Sequence, residues 1–323
     1  MGRKEKARLK INEKVKDLLN KDKWNEDDEK LALQYSGYGG IYSHGSSLGQ
    51  FYTAQPIIDA IVQMMAMQPG AKVAEPSCGN GKFIYSLPSY VKAYGCELDG
   101  EAAAIAQKLN PESEIKHGDG LEFLDNHKEV FDFVIGNPPF AGKVQTNSRF
   151  ASKSSGNVDI VTAFIEKGME SLKEGGYLAM VVPHSVFMTK AYGKLRDWIT
   201  TEHLVRALVS LPSEAFAATG TKVHTSIIVF QKKVTGWDYK DYPVLAFKSS
   251  DVGVDEKGYP TNNSDLVLLV KQWLQFKEET KHFFPAEKSA PVLFEIPFDI
   301  PIEVLRFKAK KNSDEIEQLA IAL

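Results

Sequence analysis

The chain has 323 residues, 43% of them hydrophobic and 25% charged, a globular composition that excludes wholesale disorder, collagen-like repeats and low-complexity scaffolds. With 39 basic and 42 acidic residues the net charge is −3, so any contact with a polyanion must come from a local patch and not from bulk positive charge. Two cysteines, Cys78 and Cys96, are too few for a disulfide framework; with no signal-peptide core and no run near the ~20 apolar residues of a membrane span, a soluble cytoplasmic protein without a membrane partner is expected.

Residues 1–34 place Leu9, Ile11, Val15, Leu18 and Leu19 at roughly helical spacing. Within the first sixteen residues Arg3, Lys4, Lys6, Arg8, Lys10, Lys14 and Lys16 outnumber Glu5 and Glu13, which suits either a solvated surface helix or a basic arm on DNA phosphates. The glycine-rich segment SGYGGIYSHGSSLGQ (36–50) is too irregular for a helix and reads as a loop, closing a first unit at residues 1–50.

From residue 51 short apolar runs alternate with helical stretches. KVAEP (72–76), KAYGCEL (92–98), SEIKHGD (113–119), FDFVIGNPP (131–139), GYLAMVVP (176–183), LVRALVSLP (204–212) and TSIIVFQK (225–232) read as strands, and 99–109, 158–173 and 190–201 as helices. The alternation predicts right-handed βαβ units in an α/β, Rossmann-like fold with a seven-stranded, mostly parallel sheet. The last strand follows its predecessor without a helix and is expected to insert antiparallel. This catalytic domain is drawn at 51–235. Residues 236–323 form a small C-terminal lobe, with a helix near 264–281 and a proline-spaced run, FFPAEKSAPVLFEIPFDIPIEV, and offer a further region for DNA contact.

Four places carry chemistry. In VAEPSCGNGKFIYSL (73–87) a strand leads to a glycine turn, where Gly79 and Gly81 let a ligand approach the backbone. The third glycine of a dinucleotide fingerprint is replaced by Ile84, and Glu75 at the strand end would repel phosphate but suit an ammonium or a ribose hydroxyl. S-adenosylmethionine, with an amino-acid head and no phosphate, fits that turn better than a nicotinamide dinucleotide, which disfavours an oxidoreductase. Glu97 ends the next strand, where an acid can bind both ribose hydroxyls of an adenosine, and Leu98 beside it can press on the adenine; a surface or capping acid is the plainer alternative. Asp119 follows the third strand and can accept from an adenine amine, or serve as an ordinary turn residue. Asn137-Pro138-Pro139-Phe140 is the most specific. Consecutive prolines remove backbone donors and hold the path extended, so the Asn137 amide oxygen and the Pro138 carbonyl can both accept from a planar –NH2, with Phe140 as a stacking surface. The loop after it, residues 141–157, carries Lys143, Arg149 and Lys153 and no acid, as a flap over DNA phosphates or a plain surface loop would. No histidine or cysteine spacing suggests a metal.

Together these motifs, in order from about residue 50 to 232, resemble the amino-methyltransferases, and within them the gamma class of DNA adenine-N6 methyltransferases, which includes type I modification subunits and stand-alone type II enzymes. The resemblance implies a methyl transfer from S-adenosylmethionine to the N6 amine of an adenine flipped out of double-stranded DNA. It implies that Tyr52 and Thr53, in QFYTAQPIIDAIVQMM (50–65), face the cofactor, with Thr53 on its methionine carboxylate. Glu75, Ser77, Gly79 and Gly81 would meet its amino-acid end, Glu97 its ribose, and Leu98, Asp119, Gly120, Leu121 and Phe164 its adenine. Asn137, Pro138, Pro139 and Phe140 would hold the target adenine, with Phe216, in FAATGTKVHTSIIVFQK (216–232), as a second aromatic clamp. Gly120 departs from relatives that carry an aromatic there. The region after 235 is shorter than a typical target-recognition domain, which implies a separate specificity subunit. SGYGG resembles a loop of large phage and plasmid methylase-helicases, implying a prokaryotic setting with a phage or mobile-element origin. The same Asn-Pro-Pro-aromatic signature also serves enzymes acting on ribosomal RNA guanine or protein glutamine, and a non-catalytic DNA-binding or anti-restriction subunit could keep the fold.

Overall fold

A computed structural model describes residues 3–38, 51–219, 223–239, 242–255, 260–283 and 304–306. Most of the glycine-rich loop and of the proline-spaced run therefore lies outside the described residues.

Helix α1 (Arg3–Leu18) turns Val15 and Leu18 inward, and α2 (Glu26–Ala32) begins at a capping box in which the Asn25 side chain accepts from the Asp28 N–H and Asp28 accepts from the Asn25 N–H. Helix α3 (Gln55–Met65), with Pro56 in its first turn, leads to β1 (Lys72–Glu75). The alternation continues through α4 (Lys82–Tyr85), β2 (Lys92–Glu97), α5 (Gly100–Leu109), β3 (Glu114–His117), α6 (Gly120–Asp125) and β4 (Phe131–Gly136). A hairpin of β5 (Lys143–Gln145) and β6 (Asn157–Asp159) precedes α7 (Ile160–Ser171), β7 (Leu172–Pro183), α8 (Ser185–Met188), α9 (Gly193–Glu202), β8 (His203–Ser210) and β9 (Thr225–Lys232). Beyond these come β10 (Pro243–Lys248), a second hairpin of β11 (Val252–Val254) and β12 (Pro260–Ser264), α10 (Leu266–Glu279) and β13 (Val304–Arg306).

The main sheet has the order β13-β10-β8-β9-β7-β4-β1-β2-β3. All seven expected strands are in it, and β9 runs antiparallel to both β7 and β8 as the missing helix requires. Two further strands extend one edge: β10, parallel to β8, and β13, antiparallel to β10. The strand expected to continue through the prolines stops at Gly136.

Side chains alternate across the central strands. Leu178, Met180 and Val182 of β7 pack under α6, α7 and α9, while Tyr177, Ala179 and Val181 pack under α3 and α10. Burial on both faces is why β7 reads as an unbroken apolar run. On the α3 side Trp273 of α10 is fully buried and its Nε1–H donates to the Met64 carbonyl, so the chain after residue 235 returns to the same core.

The amino-terminal helices form a satellite core against α5, joining Val15, Ala32 and Tyr35 to Ala102, Ile105 and Leu109. Lys16 pairs with Glu101 at 3.0 Å and Arg8 donates to Ser36, so these two cations of the expected basic arm face protein. Among the described residues no helix is long and apolar enough to cross a membrane.

Strand order reverses between β1 and β4, with β2 and β3 to one side and β7 onward to the other. In an open α/β sheet the ligand crevice lies outside the carboxyl ends of the strands at such a reversal.

Candidate active site

That crevice holds a cavity of about 340 Å³, in the size range of small-molecule sites. The glycine turn after β1 forms one wall. Gly79 and Gly81 take left-handed backbone (φ +54 and +79), and a Cβ on Gly79 would lie 2.9 Å from the Tyr52 ring. Gly81 stands just behind the wall, its carbonyl accepting from Asn110 Nδ2. Asn80, between the two glycines, donates to the carbonyls of Ala32 and Tyr35 at 3.1 and 3.3 Å, tying the turn to the end of α2.

Carboxylates end the first two strands. Glu97 accepts from the Gly79 N–H at 2.7 Å and from the Asp99 N–H at 2.8 Å, which fixes the carboxylate at the cavity. Burial raises its pKa and those two N–H bonds oppose the rise. Glu75 is only 3% exposed, and Oε2 has no hydrogen-bond partner among the described residues. Burial, with a smaller push from Glu97, holds its pKa well above the ordinary carboxylate range. The buried Tyr52 hydroxyl is also without a partner, and Thr53 lies beside it in the lining.

Apolar groups gather at the other end. Leu98 is 56% exposed yet lines the cavity, facing the buried Leu121 and Phe164 that share it. Asp119 also lines it; Oδ1 accepts from the Leu121 N–H at 2.7 Å and so caps α6. A Cβ on Gly120 would fall 1.8 Å from the Pro76 carbonyl oxygen, so this position has no room for the aromatic found in relatives.

At the mouth, Ser77 donates to the Asn137 carbonyl at 3.4 Å, and Asn137 Nδ2 donates to the Phe51 carbonyl at 2.7 Å. The second bond sets the orientation of the amide and leaves Asn137 Oδ1 buried with no partner among the described residues. Among the described residues the Pro138 carbonyl likewise accepts no hydrogen bond. Both oxygens, with Pro139, belong to residues lining the cavity.

Three expected positions differ. Phe140 is half-buried just outside the lining, stacked on Phe51 (6.1 Å, 23°) and met edge-on by Phe216 (5.9 Å, 76°). Phe216 is 1% exposed inside the α3-side core, so it supports Phe140 from behind and offers no ring face to a base. Arg149 is also turned from its expected phosphate role. Its Nε bonds Glu166 at 3.2 Å, its other nitrogens approach Glu202 at 3.0 Å and Glu170 at 3.7 Å, and it lies over the Trp198 ring. Ser148 also donates to Glu166, so the turn of the β5–β6 hairpin is anchored to α7 and α9. Lys143 lines the cavity and Lys153 is exposed away from it.

Among the lining residues that the sequence reading left out are Phe51, Asn80 and Lys82. Lys82 had a visible signal, a cation directly after the glycine turn; Phe51 and Asn80 act through backbone carbonyls that only the fold brings near. Among the described residues no three His, Cys, Asp or Glu side chains gather as metal ligands.

The profile of a family described as N-6 DNA Methylase matches residues 41–289. The chain belongs to the N-6 DNA methylase family. Among curated relatives of this family member, the defense against restriction protein B of Escherichia phage P1 is 27% identical over 237 residues, which is 71% of this chain and 10% of that protein. The type II methyltransferase M.HincII of Haemophilus influenzae is 27% identical over 289 residues, 85% of this chain and 51% of the relative. The methyltransferase subunit of a type I restriction-modification system from Streptococcus thermophilus superposes with a TM-score of 0.60 at 18% identity, covering 81% of this chain and 60% of that one. The chain thus spans about half the length of the type II relative and a small part of the phage protein.

Proposed function

We propose that this family member transfers a methyl group from S-adenosylmethionine to the N6 amine of an adenine extruded from double-stranded DNA. The observation that carries the reading is the partnerless Asn137 Oδ1, held at the cavity mouth by the bond from its own Nδ2 to Phe51. A buried acceptor left open costs stability unless a ligand donor meets it. The cavity also fits the cofactor by its own chemistry, with an open carboxylate oxygen on Glu75 for an ammonium, Glu97 for ribose hydroxyls, and Leu98, Leu121 and Phe164 for a flat base.

When bound, S-adenosylmethionine supplies an electrophilic methyl carbon on a sulfonium sulfur. The protein's part is to place the target nitrogen. Asn137 Oδ1 and the Pro138 carbonyl accept the two amine protons, which favours a pyramidal nitrogen and stabilises the positive charge that grows on it. No strong base is needed beforehand, because a methylated ammonium is acidic and loses its proton readily. Phe140 replaces stacking lost on extrusion, and Lys143 and Lys153 reach phosphates. We further propose that the catalytic body, drawn at 51–235 from the sequence, extends through α10, since β10 and α10 complete its sheet and core.

The family's description as N-6 DNA Methylase, with a relative named as a type II methyltransferase, favours DNA over ribosomal RNA or a protein glutamine as the acceptor. A partner chain supplying target recognition is supported by the neighbour named as a subunit of a type I system. The test is methyl transfer to duplex DNA, ribosomal RNA and a release factor, with N6-methyladenine mapped in DNA from expressing cells. Asn137→Ala should lose transfer by about 100-fold or more while keeping cofactor affinity. Normal turnover in that variant, or transfer to RNA or protein alone, would overturn the assignment.

A further inference from the structure

Lys82 is the one lysine at the glycine-turn wall of the cavity, the first residue of α4 with its stem running back toward Thr53. Its ammonium donates to the Thr53 carbonyl at 3.4 Å, a long bond and its only hydrogen bond among the described residues. Among the described residues no carboxylate forms an ion pair with it: Asp59, whose charge acts on it, is engaged by Gln55 Nε2 at 2.7 Å. Burial lowers the pKa of the ammonium, the mark of a cation removed from water without a counter-ion.

The two ends of an amino acid carry opposite charges, and the cavity offers a carboxyl group and an ammonium on residues that both line it. Glu75 has an open, buried oxygen at the end of β1. Lys82 stands across the glycine turn beside Thr53, and both line the same space. Thr53 alone, a neutral hydroxyl, cannot neutralise a carboxylate, whereas an ammonium at its carbonyl can.

We propose that Lys82 is the counter-ion for the α-carboxylate of the bound cofactor, so that Glu75 and Lys82 together grip the zwitterionic amino-acid head. This rests on the S-adenosylmethionine reading of the cavity. Lys82 acts in binding and makes no contact with the reacting methyl or amine. It selects for a cofactor with an intact carboxylate.

The test is equilibrium binding, read by calorimetry without DNA, of S-adenosylmethionine and of its decarboxylated analogue. The wild-type protein should hold S-adenosylmethionine roughly tenfold to hundredfold tighter than the analogue, as a charge-assisted bond implies. Lys82→Met should remove most of that preference by weakening S-adenosylmethionine while leaving the analogue unchanged, and Lys82→Arg should restore part of it. Equal affinity of the wild type for both compounds, or undiminished S-adenosylmethionine affinity in Lys82→Met, would overturn the role of Lys82 while leaving the cofactor reading intact. Wild-type protein that binds neither compound would sink the cofactor reading and this assignment with it. Should Lys82→Met fail to fold, Lys82→Gln, which removes the charge and keeps a polar donor on a shorter stem, carries the same comparison.

Discussion

Glu75 reports on ligand charge through its own proton. Burial holds its pKa up, and on the proposed reading the cofactor ammonium against its open oxygen would stabilise the carboxylate, so that binding would expel a proton. Cofactor affinity should therefore rise with pH up to the raised pKa of free Glu75 and level off above it. Calorimetry in buffers of different ionisation enthalpy checks the released proton, and Glu75→Gln should flatten the profile and weaken binding at the alkaline end. At this scale much of the site was legible. Glu75, Glu97, Asp119 and the Asn137-Pro138-Pro139 run all sit where strand ends and glycine spacing put them. Phe216 was not, because an aromatic after a strand looks the same whether its ring faces a base or lies under Phe140. Gly120 looked like a departure from its relatives, and the Pro76 carbonyl explains it.

Between elements, the β5–β6 hairpin shows why counting charges within a segment misleads. Residues 141–157 contain no acid, but Glu166, Glu170 and Glu202, which hold Arg149, come from two helices elsewhere in the chain. Arg149→Ala should loosen the hairpin and lower thermal stability, yet leave the salt dependence of DNA binding nearly unchanged. Lys143→Ala should reduce the slope of log affinity against log salt by about one. A loss of slope in Arg149→Ala equal to that in Lys143→Ala would return the arginine to the phosphates. The α3–α10 pairing is a second contact between distant elements. Truncating the fully buried Trp273 to Ala removes about 3–5 kcal/mol, with a fall in Tm on the order of 10 °C that differential scanning calorimetry would register.

Across the whole molecule, the alternation of strands and helices was enough to place seven strands and the antiparallel one among them. Periodicity could not supply β10 or β13. PVLAFK is a short apolar run that suits strand or buried helix equally, and β13 is three residues that gain meaning only from pairing with β10. The helix near 264–281 was visible, but its partner was not, since the Trp273 bond to Met64 spans most of the chain. The same holds for the amino-terminal helices: helical spacing announced α1, while only the fold shows Val15 and Tyr35 sealing α5.

The single amide of Asn80 belongs to two bodies at once, the turn that would cradle the ligand and the end of α2 with the chain just after it, through the carbonyls of Ala32 and Tyr35. Ligand occupancy and the firmness of those first helices are therefore linked, and linkage is reciprocal. Hydrogen exchange in α2 should slow when S-adenosylmethionine is added, and Asn80→Ala should abolish that slowing. A change that loosens α2 should then weaken the hold on S-adenosylmethionine, and a filled pocket should firm α2 by the same factor.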